Sequence, residues 1–395
     1  MTPAFVIIKS RCDTTLSSHA NKLPTGGIMK ANAAVFTEIG KDLTIEQIDI
    51  DDPRANEVLV RTAACGVCHS DVHFAKSTIL GPIPTVPGHE PAGIVEAVGS
   101  EVTSVAVGDH VIACTSMFCG RCNQCLNGRP YLCMDRRQCQ RKKGDTPRIS
   151  LNGKKLTQFA DLSAFSEKML VHETAVVKID KDIPLESAAL VGCAVTTGVG
   201  AALNTAKVRP GSSVAVFGVG GIGISIIQGA RIAGARQIIA IDLVPSKLET
   251  AKKFGATHTL LGGQDSPDGD PVKALKKLSG GGVDYAFDAV GVPQLSKQCF
   301  YALAPKGLAV IVGAIPTGQK LEVDPGHFYL EKSITGCFMG SNRFHIDALH
   351  YLDFYKQGRL DLDSMITDRM GLGDINKAFS LLDSGEINRA VITFD

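Results

Sequence analysis

The chain has 395 residues, of which 44% are hydrophobic and 21% charged, a length and balance ordinary for a two-domain globular enzyme. Its formal net charge of +1 gives no electrostatic reason to expect nucleic acid or an anionic membrane as a partner. No apolar run reaches the length of about 18 residues that a membrane-spanning helix needs. We therefore expect neither nucleic acid nor a membrane as a partner.

The first 28 residues differ from the rest of the chain. They are polar around residues 14–18 and show no clear helix or strand period. Lys9, Arg11 and Lys22 are their only positive charges, which is weak support for a transit peptide. We interpret residues 1–28 as a disordered extension. Because no secretory signal is evident, we expect a cytoplasmic protein.

From Met29 to about residue 190, short apolar runs alternate with Gly and Pro, a pattern typical of strands and turns. The clearest predicted strands are residues 31–36, 58–61, 94–98 and the second half of 105–113. This part of the chain is therefore expected to be β-rich.

The cysteines are unevenly distributed, because six of the twelve lie between Cys114 and Cys139. Four of them follow the pattern C-x-x-C-x-x-C-x7-C, namely Cys119, Cys122, Cys125 and Cys133. Four thiolates at this spacing can enclose one tetrahedral Zn²⁺ with no open position, which suits a structural rather than a catalytic metal. Disulfides and an iron–sulfur cluster are the alternatives, and the dense spacing argues against disulfides. We expect Cys114 and Cys139 to be ordinary thiols.

After Thr197 the pattern changes, since six short apolar runs alternate with helical segments. The runs are Ser213–Phe217, Gln237–Asp242, His258–Leu261, Val283–Asp288, 308–312 and 334–338. This alternation predicts a doubly wound parallel sheet. Ser246 and Glu249 form a capping-box pattern that predicts a helix start. Two helices and a final strand at 390–394 close the chain.

A glycine-rich loop follows the first of these runs. Gly218, Gly220 and Gly223 form G-x-G-x-x-G between a strand and a helix, which allows a tight turn and close approach of a pyrophosphate. Asp242 ends the next strand at about the distance of 20 residues expected for a carboxylate on the ribose 2′-hydroxyl. Because that carboxylate would repel a 2′-phosphate, the sequence favours NAD over NADP.

Three further motifs carry a family resemblance. They are residues 66–73 (GVCHSDVH), 88–90 (GHE) and 192–198 (GCAVTTG). With the two motifs above, in this order and spacing, the sequence resembles the zinc-containing medium-chain alcohol dehydrogenases from Met29 to Asp395. The resemblance implies an α/β fold in which a GroES-like β-rich catalytic domain accompanies a Rossmann domain with a doubly wound parallel six-stranded sheet.

The resemblance also implies domain boundaries. The catalytic domain would span residues 29–195 and include a structural zinc lobe at 114–139. The NAD-binding Rossmann domain would span 196–339, and residues 340–395 would return to the catalytic domain. Long members of the family are typically homodimers, so we expect a dimer formed by edge-to-edge pairing near 308–312 and 334–338.

The resemblance implies above all a catalytic zinc, held by Cys68, His89 and Cys193. With the structural zinc, we therefore expect two zinc ions per chain. Two thiolates and one imidazole leave a fourth tetrahedral position open, as a catalytic zinc requires. Zinc lowers the pKa of bound water to roughly 7, and an alcohol would be acidified by the same effect. Cys65 also makes a C-x-x-C pattern with Cys68, but we interpret it as a packed thiol.

The resemblance gives roles to four more side chains around that zinc. Ser70 matches the hydroxyl that accepts the substrate proton, and His73 matches the end of the relay that passes it to solvent. Asp71 matches a carboxylate that orients the zinc-bound imidazole. Glu90 matches a position beside the zinc that can assist ligand exchange.

Cofactor contacts are implied in the same way. Thr197 and Val312 match positions that line the nicotinamide pocket, and His69 and Arg389 match positions near the pyrophosphate. Ile222 and Lys247 complete the candidate cofactor-binding residues. Many relatives have Arg where His69 stands, and a neutral imidazole should hold NAD more weakly. We therefore expect comparatively fast cofactor release.

The substrate is expected to be a small alcohol or aldehyde, and residues 141–166 resemble the longer members of the family. A primary, aromatic or allylic alcohol is favoured, and Thr115 stands where a bulkier pocket residue is common. The alternative is S-(hydroxymethyl)glutathione, for which Arg137 matches a carboxylate-binding position. That branch usually has acids where residues 76–79 stand and lacks the relay histidine, whereas this sequence has no acid there and carries His73.

A different class of protein is a non-catalytic relative that binds NAD(P). Such relatives generally lack the zinc ligands. Because all three ligands, Ser70 and Asp242 are present, the sequence favours an enzyme.

Overall fold

The computed structural model describes residues 27–77, 82–266 and 269–394. The predicted disordered extension at 1–28 therefore lies almost wholly outside the described residues, which begin at Gly27.

The first half of the chain is β-rich, as predicted. Its strands are β1 (Met29–Val35), β2 (Thr44–Ile50), β3 (Glu57–Gly66), β4 (Thr85–Val86), β5 (Glu90–Val98), β6 (His110–Ala113), β7 (Ile149–Leu151), β8 (Lys154–Lys155), β9 (Thr157–Gln158), β10 (Lys168–His172) and β11 (Val176–Ile179). Two short helices interrupt them, α1 (His69–Ser77) and α2 (Asn123–Leu126). The central strand β3 is buried at almost every position, because it pairs with β5 and β10 and its end pairs with a strand from the C-terminus.

A buried helical segment joins the two halves of the molecule. It comprises α3 (Leu185–Ala189), α4 (Ala194–Gly200) and a π-helical turn at Ala201–Thr205. Among the described residues no single helix is long and apolar enough to cross a membrane. Two consecutive helical segments, Leu185–Gly192 and Ala194–Thr205, are together long and apolar enough for a span, but they are bent by 56° relative to each other. Both parts lie mainly in the core of the protein.

The second half forms a six-stranded parallel sheet, which confirms the predicted doubly wound fold. Its strands are β12 (Ser213–Phe217), β13 (Gln237–Asp242), β14 (His258–Leu261), β15 (Val283–Asp288), β16 (Leu303–Ile311) and β17 (Ser333–Gly336). The helices between them are α5 (Gly221–Ile232), α6 (Pro245–Lys253), α7 (Pro271–Ser279) and α8 (Pro293–Tyr301). The strand order β14-β13-β12-β15-β16-β17 places the topological switch point between β12 and β15, where open α/β sheets bind ligands.

The C-terminal segment returns to the first sheet. It contains α9 (Phe344–Lys356), β18 (Asp368–Gly371), α10 (Ile375–Ser384) and β19 (Ala390–Thr393). β19 pairs antiparallel with the end of β3, with Val391 opposite Gly66, so Arg389 enters the region that follows β3.

One local prediction was wrong, because Ser246 and Glu249 do not form a capping box. α6 begins at Pro245, its cap is Val244, and no side chain bonds the free N–H groups there. Proline favours the first helical position because its φ is already helical and it lacks an N–H that would go unpaired. Ser246 therefore lies inside the helix.

Candidate metal and cofactor sites

A buried cluster of four potential ligands lies beside the switch point. The ligand atoms of Cys68, His89, Glu90 and Cys193 all lie within 4.8 Å of one another, and all four residues are buried. Cys68 lies between β3 and α1, His89 and Glu90 at the start of β5, and Cys193 at the bend before α4. The fold thus brings together three segments that are far apart in the sequence.

Asp71 orients the first two of these ligands. Its Oδ2 accepts a hydrogen bond from the backbone N–H of Cys68 at 3.2 Å. Its Oδ1 lies 3.0 Å from Nδ1 of His89 and accepts from the backbone N–H of Gly88 at 3.0 Å. Because Asp71 engages Nδ1, the Nε2 atom of His89 is the nitrogen left for a metal.

Glu90 forms a buried ion pair with Arg389. The Arg389 Nη1 atom lies 3.0 Å from both carboxylate oxygens and also donates to the carbonyl of Val67 at 3.0 Å. Burial raises the pKa of Glu90 to about 7, while the guanidinium of Arg389 acts in the opposite direction. Both side chains are at most 5% exposed, so each charge depends on the other for compensation.

The donor set of this cluster fits a zinc ion. A hydrogen bond from the Cys193 thiol lowers the pKa of Cys68 well below its usual value, against the effect of burial. The same contact, with burial, raises the pKa of Cys193. A divalent ion would compensate two thiolates, and the thiolate–imidazole set leaves one tetrahedral position open.

The relay candidates lie on α1, next to the cluster. Ser70 is half-buried, and its Oγ lies 3.7 Å from Sγ of Cys68. His73 is exposed one helical turn later, with its ring centroid 6.3 Å from that of His69. The helix therefore connects the cluster with the surface through Ser70 and His73.

The glycine-rich loop has the geometry of a phosphate-binding turn. Gly218 has a φ of +91°, and a Cβ on Gly223 would lie 1.9 Å from the carbonyl oxygen of Gly218. Nothing lies within 4 Å of the Cβ position of Gly220, which leaves room for a ligand. Asp242 holds the loop, because its Oδ2 accepts from the backbone N–H of Val219 at 2.7 Å.

Basic side chains converge near this loop from both halves of the molecule. A Cβ on Gly221 would lie 2.0 Å from Nη2 of Arg389. Burial lowers the pKa of His69, the nearby Cys68 raises it, and the charges of Arg389, His73 and Lys247 lower it further. Arg389 therefore stands between the ligand cluster and the glycine loop, and the same group of charges suits a pyrophosphate.

The remaining cofactor candidates lie on α4, after β16 and on α5. Thr197 is 5% exposed and donates to Sδ of Met339 at 3.6 Å. Val312 follows β16 and is 9% exposed. Ile222 is half-buried in the first turn of α5. A Cβ on Gly198 would lie 2.5 Å from the Ile222 carbonyl, so this glycine lets α4 and α5 pack closely.

The second thiol cluster is more exposed and is built from one chain segment. The Sγ atoms of Cys119, Cys122, Cys125 and Cys133 lie within 4.8 Å of one another. Cys133 is buried and the other three are half-buried. The backbone N–H groups of Cys119 and Cys122 donate to thiol sulfurs at 3.3 and 3.4 Å. Four sulfurs in this arrangement fit a closed zinc site.

Cys65, Cys114 and Cys139 lie outside both clusters. Cys139 donates to the carbonyl of Phe118 at 3.3 Å, and Cys114 is fully buried. Cys65 is also fully buried and donates to the Gly66 carbonyl at 3.6 Å.

A cavity of about 270 Å³ lies close to the buried ligand cluster. Phe159 lines it, and the ring of Phe159 lies 5.5 Å from that of His89. Thr115 also lines it, with Arg136 and Asp161, whose charged groups lie 3.9 Å apart. Arg136 and Asp161 were not predicted, because no sequence motif marks them. Arg137, which the family pattern singled out, is exposed, while its neighbour Arg136 donates to the Thr115 carbonyl.

The chain is similar to known proteins over most of its length. Residues 54–181 match the family model of the alcohol dehydrogenase GroES-like domain, and residues 221–353 match that of the zinc-binding dehydrogenase domain. The chain is 39% identical to an S-(hydroxymethyl)glutathione dehydrogenase of Synechocystis, an alignment that covers 93% of this chain and 100% of the relative.

Two solved structures are similar over the same extent. A zinc-binding-domain alcohol dehydrogenase protein of Burkholderia ambifaria matches with a TM-score of 0.88 and 34% identity. The benzyl alcohol dehydrogenase of Acinetobacter calcoaceticus matches with a TM-score of 0.87 and 32% identity. Each comparison covers 93% of this chain and 100% of the other chain.

Proposed function

Because this chain belongs to the zinc-containing medium-chain alcohol dehydrogenases, we propose that it interconverts a primary, aromatic or allylic alcohol and its aldehyde with NAD. One observation carries this proposal. The buried Cys68–His89–Cys193 cluster is connected to the glycine loop through Glu90 and Arg389, so a metal and a dinucleotide would meet at one place.

Two zinc ions per chain are part of the proposal. Cys68, His89 and Cys193 would hold the catalytic ion, and Cys119, Cys122, Cys125 and Cys133 the structural one. Zinc, when bound, supplies Lewis acidity that favours loss of the substrate proton, and NAD, when bound, accepts a hydride.

The protein's own residues move the proton and hold the cofactor. Ser70 takes the hydroxyl proton beside Cys68, and His73 delivers it to solvent through the exposed face of α1. Arg389 and Lys247 place positive charge at the pyrophosphate, and His69 lies beside them. Asp242 disfavours a 2′-phosphate by charge repulsion, which supports NAD over NADP.

A glutathione adduct is the second candidate substrate, and two observations favour it. The Synechocystis relative carries that activity in its name, and Arg136 lines the cavity beside His89. Against it, the sequence has no acid at residues 76–79, where that branch usually carries acids, and Arg137 is exposed. The neutral lining contributed by Phe74, Thr115 and Phe159 suits an aromatic alcohol at least as well.

An NADH-absorbance assay across aliphatic, benzyl-type and allylic alcohols, with S-(hydroxymethyl)glutathione in parallel, tests the proposal. We expect the highest kcat/KM with an aromatic or allylic alcohol and weak activity with NADP. A much higher kcat/KM for the glutathione adduct, lost in Arg136→Ala but kept in the matched variant Arg137→Ala, would reverse the choice of substrate.

Metal analysis separates the enzyme from a non-catalytic NAD(P)-binding relative. We expect about two zinc ions per chain, one for each cluster. A preparation with fewer than two zincs and no turnover of any alcohol would contradict the proposed activity.

We also propose that the protein is a cytoplasmic homodimer. β17 forms one edge of the six-stranded sheet, with unpaired backbone groups available to a second copy. Light scattering on the purified protein should give twice the chain mass of 41.7 kDa. A monomer at micromolar concentration would rule the dimer out.

A further inference from the structure

A turn after β17 has an unusual backbone. Met339, Gly340 and Ser341 have φ values of +49°, +66° and +49°, three left-handed residues in succession. Two of them are not glycine, and L-residues adopt this conformation only where the surroundings hold it. The turn spanning these three residues is called the left-handed turn below.

The left-handed turn packs directly on the helical segment that follows Cys193. A Cβ on Gly340 would lie 2.0 Å from the carbonyl oxygen of Thr196 and 2.9 Å from Cα of Gly200. A Cβ on Gly200 would lie 2.4 Å from the Gly340 carbonyl oxygen. The two glycines therefore allow backbone-to-backbone contact between the turn and α4.

Polar side chains from the π-helical turn at Ala201–Thr205 hold this contact. Asn204 Nδ2 donates to the carbonyl of Gly340 at 3.2 Å and to Oδ2 of Asp347 at 3.1 Å. Thr205 Oγ1 lies 2.8 Å from Oγ of Ser341 and donates to Sγ of Cys337 at 3.2 Å. The adjacent residues 204 and 205 thus both reach the turn, and π-helical turns often occur at functional positions.

The left-handed turn also connects with the catalytic half of the molecule. Asn342 is fully buried and donates to the carbonyl of Met339 at 2.6 Å and to Oγ of Ser116 at 3.0 Å. Ser116 directly follows Thr115, which lines the cavity beside His89. Met339 in turn accepts the hydrogen bond from Thr197, one helical turn beyond Cys193.

The position of the turn relates it to one end of the cofactor. A dinucleotide whose pyrophosphate lies on the glycine loop extends to both sides of the switch point. Asp242, at the end of β13, marks the side of the adenosine ribose, so the nicotinamide must extend toward β15, β16 and β17. The left-handed turn follows β17 and contacts the helix of Cys193, where hydride transfer would occur.

We propose that Asn204 is a positioning residue for the nicotinamide end of the cofactor, acting by holding the left-handed turn against α4. The inference rests on the proposed use of NAD. Loss of the Asn204 amide leaves the Gly340 carbonyl without its side-chain partner and releases a backbone conformation that is unfavourable by itself. The adenosine end, held by Asp242 and Lys247, does not depend on this contact.

Binding of NADH and of ADP-ribose, which lacks the nicotinamide, separates the two ends of the cofactor. For Asn204→Leu in the zinc-loaded protein, we expect the Kd of NADH to rise about tenfold, because the part-buried hydrogen bond to the Gly340 carbonyl is lost. The Kd of ADP-ribose should change by less than about twofold, and KM for NAD should rise more than kcat falls. Tyr351→Phe is the matched control, because it removes only the hydroxyl at 3.4 Å from the same amide.

If Asn204→Leu raises the Kd of NADH and the Kd of ADP-ribose equally, the residue only stabilises the domain. If neither Kd changes, the left-handed turn does not need Asn204. If Asn204→Leu does not fold, Thr205→Val tests the same turn through Ser341, and the same outcomes apply. A wild-type protein that binds NADH no more tightly than ADP-ribose and oxidises no alcohol would instead contradict the proposed function.

Discussion

The two thiol clusters use similar donors but are assembled differently. The ligands Cys119, Cys122, Cys125 and Cys133 lie within 15 residues, and three of them are half-buried. Cys68, His89 and Cys193 span 126 residues and are completely buried. A local cluster can form around its metal alone, whereas a dispersed cluster needs the fold first.

The surroundings of the clusters differ in the same way. The local cluster draws its hydrogen bonds mainly from the N–H groups of its own cysteines. The dispersed cluster depends on the buried charges of Asp71 in α1, Glu90 in β5 and Arg389 before β19. The comparison therefore predicts that damage to the first cluster affects stability and damage to the second affects chemistry.

The largest effect is expected from Cys133→Ala, which removes a buried ligand of the local cluster. Loss of the structural zinc should lower the free energy of unfolding by several kcal/mol, because binding energy at such sites is folding energy. Thermal unfolding and zinc content measure it. An unchanged melting temperature with one zinc lost would mean that the lobe folds without its metal.

Cys68→Ala should separate chemistry from stability. We expect kcat/KM to fall at least about a thousandfold, roughly 4 kcal/mol of transition-state stabilisation, because the catalytic zinc is lost. The melting temperature should change far less than in Cys133→Ala, and one zinc per chain should remain. Full activity in this variant would remove Cys68 from the ligand set.

Glu57→Gln tests how the lobe is attached to the catalytic domain. Glu57 is buried between Arg141 and Arg148, and Arg148 also donates to the carbonyl of Cys139 at the end of the lobe. Burial opposes its charge, but the two arginines lower the pKa of Glu57 to about 2. The variant should lose about 3 kcal/mol of unfolding free energy at pH 7.

The sign of the pH dependence follows from the lowered pKa. The contribution of Glu57 is fully present above its usual pKa of 4.5 and disappears as the pH falls toward 2. Denaturant unfolding at pH 7 and pH 3.5 should therefore show a smaller difference between wild type and variant at the lower pH. Asp383→Asn, which breaks the exposed pair with Lys76, is the control and should change stability by less than about 1 kcal/mol.

Asp71→Asn should weaken the dispersed cluster without removing a ligand. Loss of the carboxylate that orients His89 and the Cys68 backbone should lower affinity for the catalytic zinc about 10- to 100-fold. Competition with a chelator measures this affinity. Zinc retention equal to wild type would show that the two ligands are oriented by other contacts.

The smallest effect is expected from His69→Arg, next to Cys68. A permanent charge near Lys247 and Arg389 should hold the pyrophosphate more tightly, so NADH should dissociate a few-fold more slowly. Stopped-flow fluorescence measures the rate. Faster release from His69→Arg, or unchanged or slower release from His69→Ala, would contradict a role for His69 in cofactor release.

Much of this protein followed from the sequence alone. The spacing of Cys119, Cys122, Cys125 and Cys133 identified the local thiol cluster because its geometry is set by neighbouring residues. The alternation of strands and helices after Thr197 predicted the parallel sheet, since a buried strand and an amphipathic helix have different periods. The glycine loop and Asp242 could be predicted from the sequence, because a tight turn restricts which residues fit there.

Other features depended on contacts between distant segments. Only the tertiary structure shows that Arg389 lies between Glu90 and the glycine loop. It also shows that Arg137 is exposed, whereas Arg136 lines the cavity. The left-handed turn and its bond to Asn204 join residues 136 positions apart. No local pattern encodes such pairs, because their energy arises only when the core has packed and the segments are already adjacent.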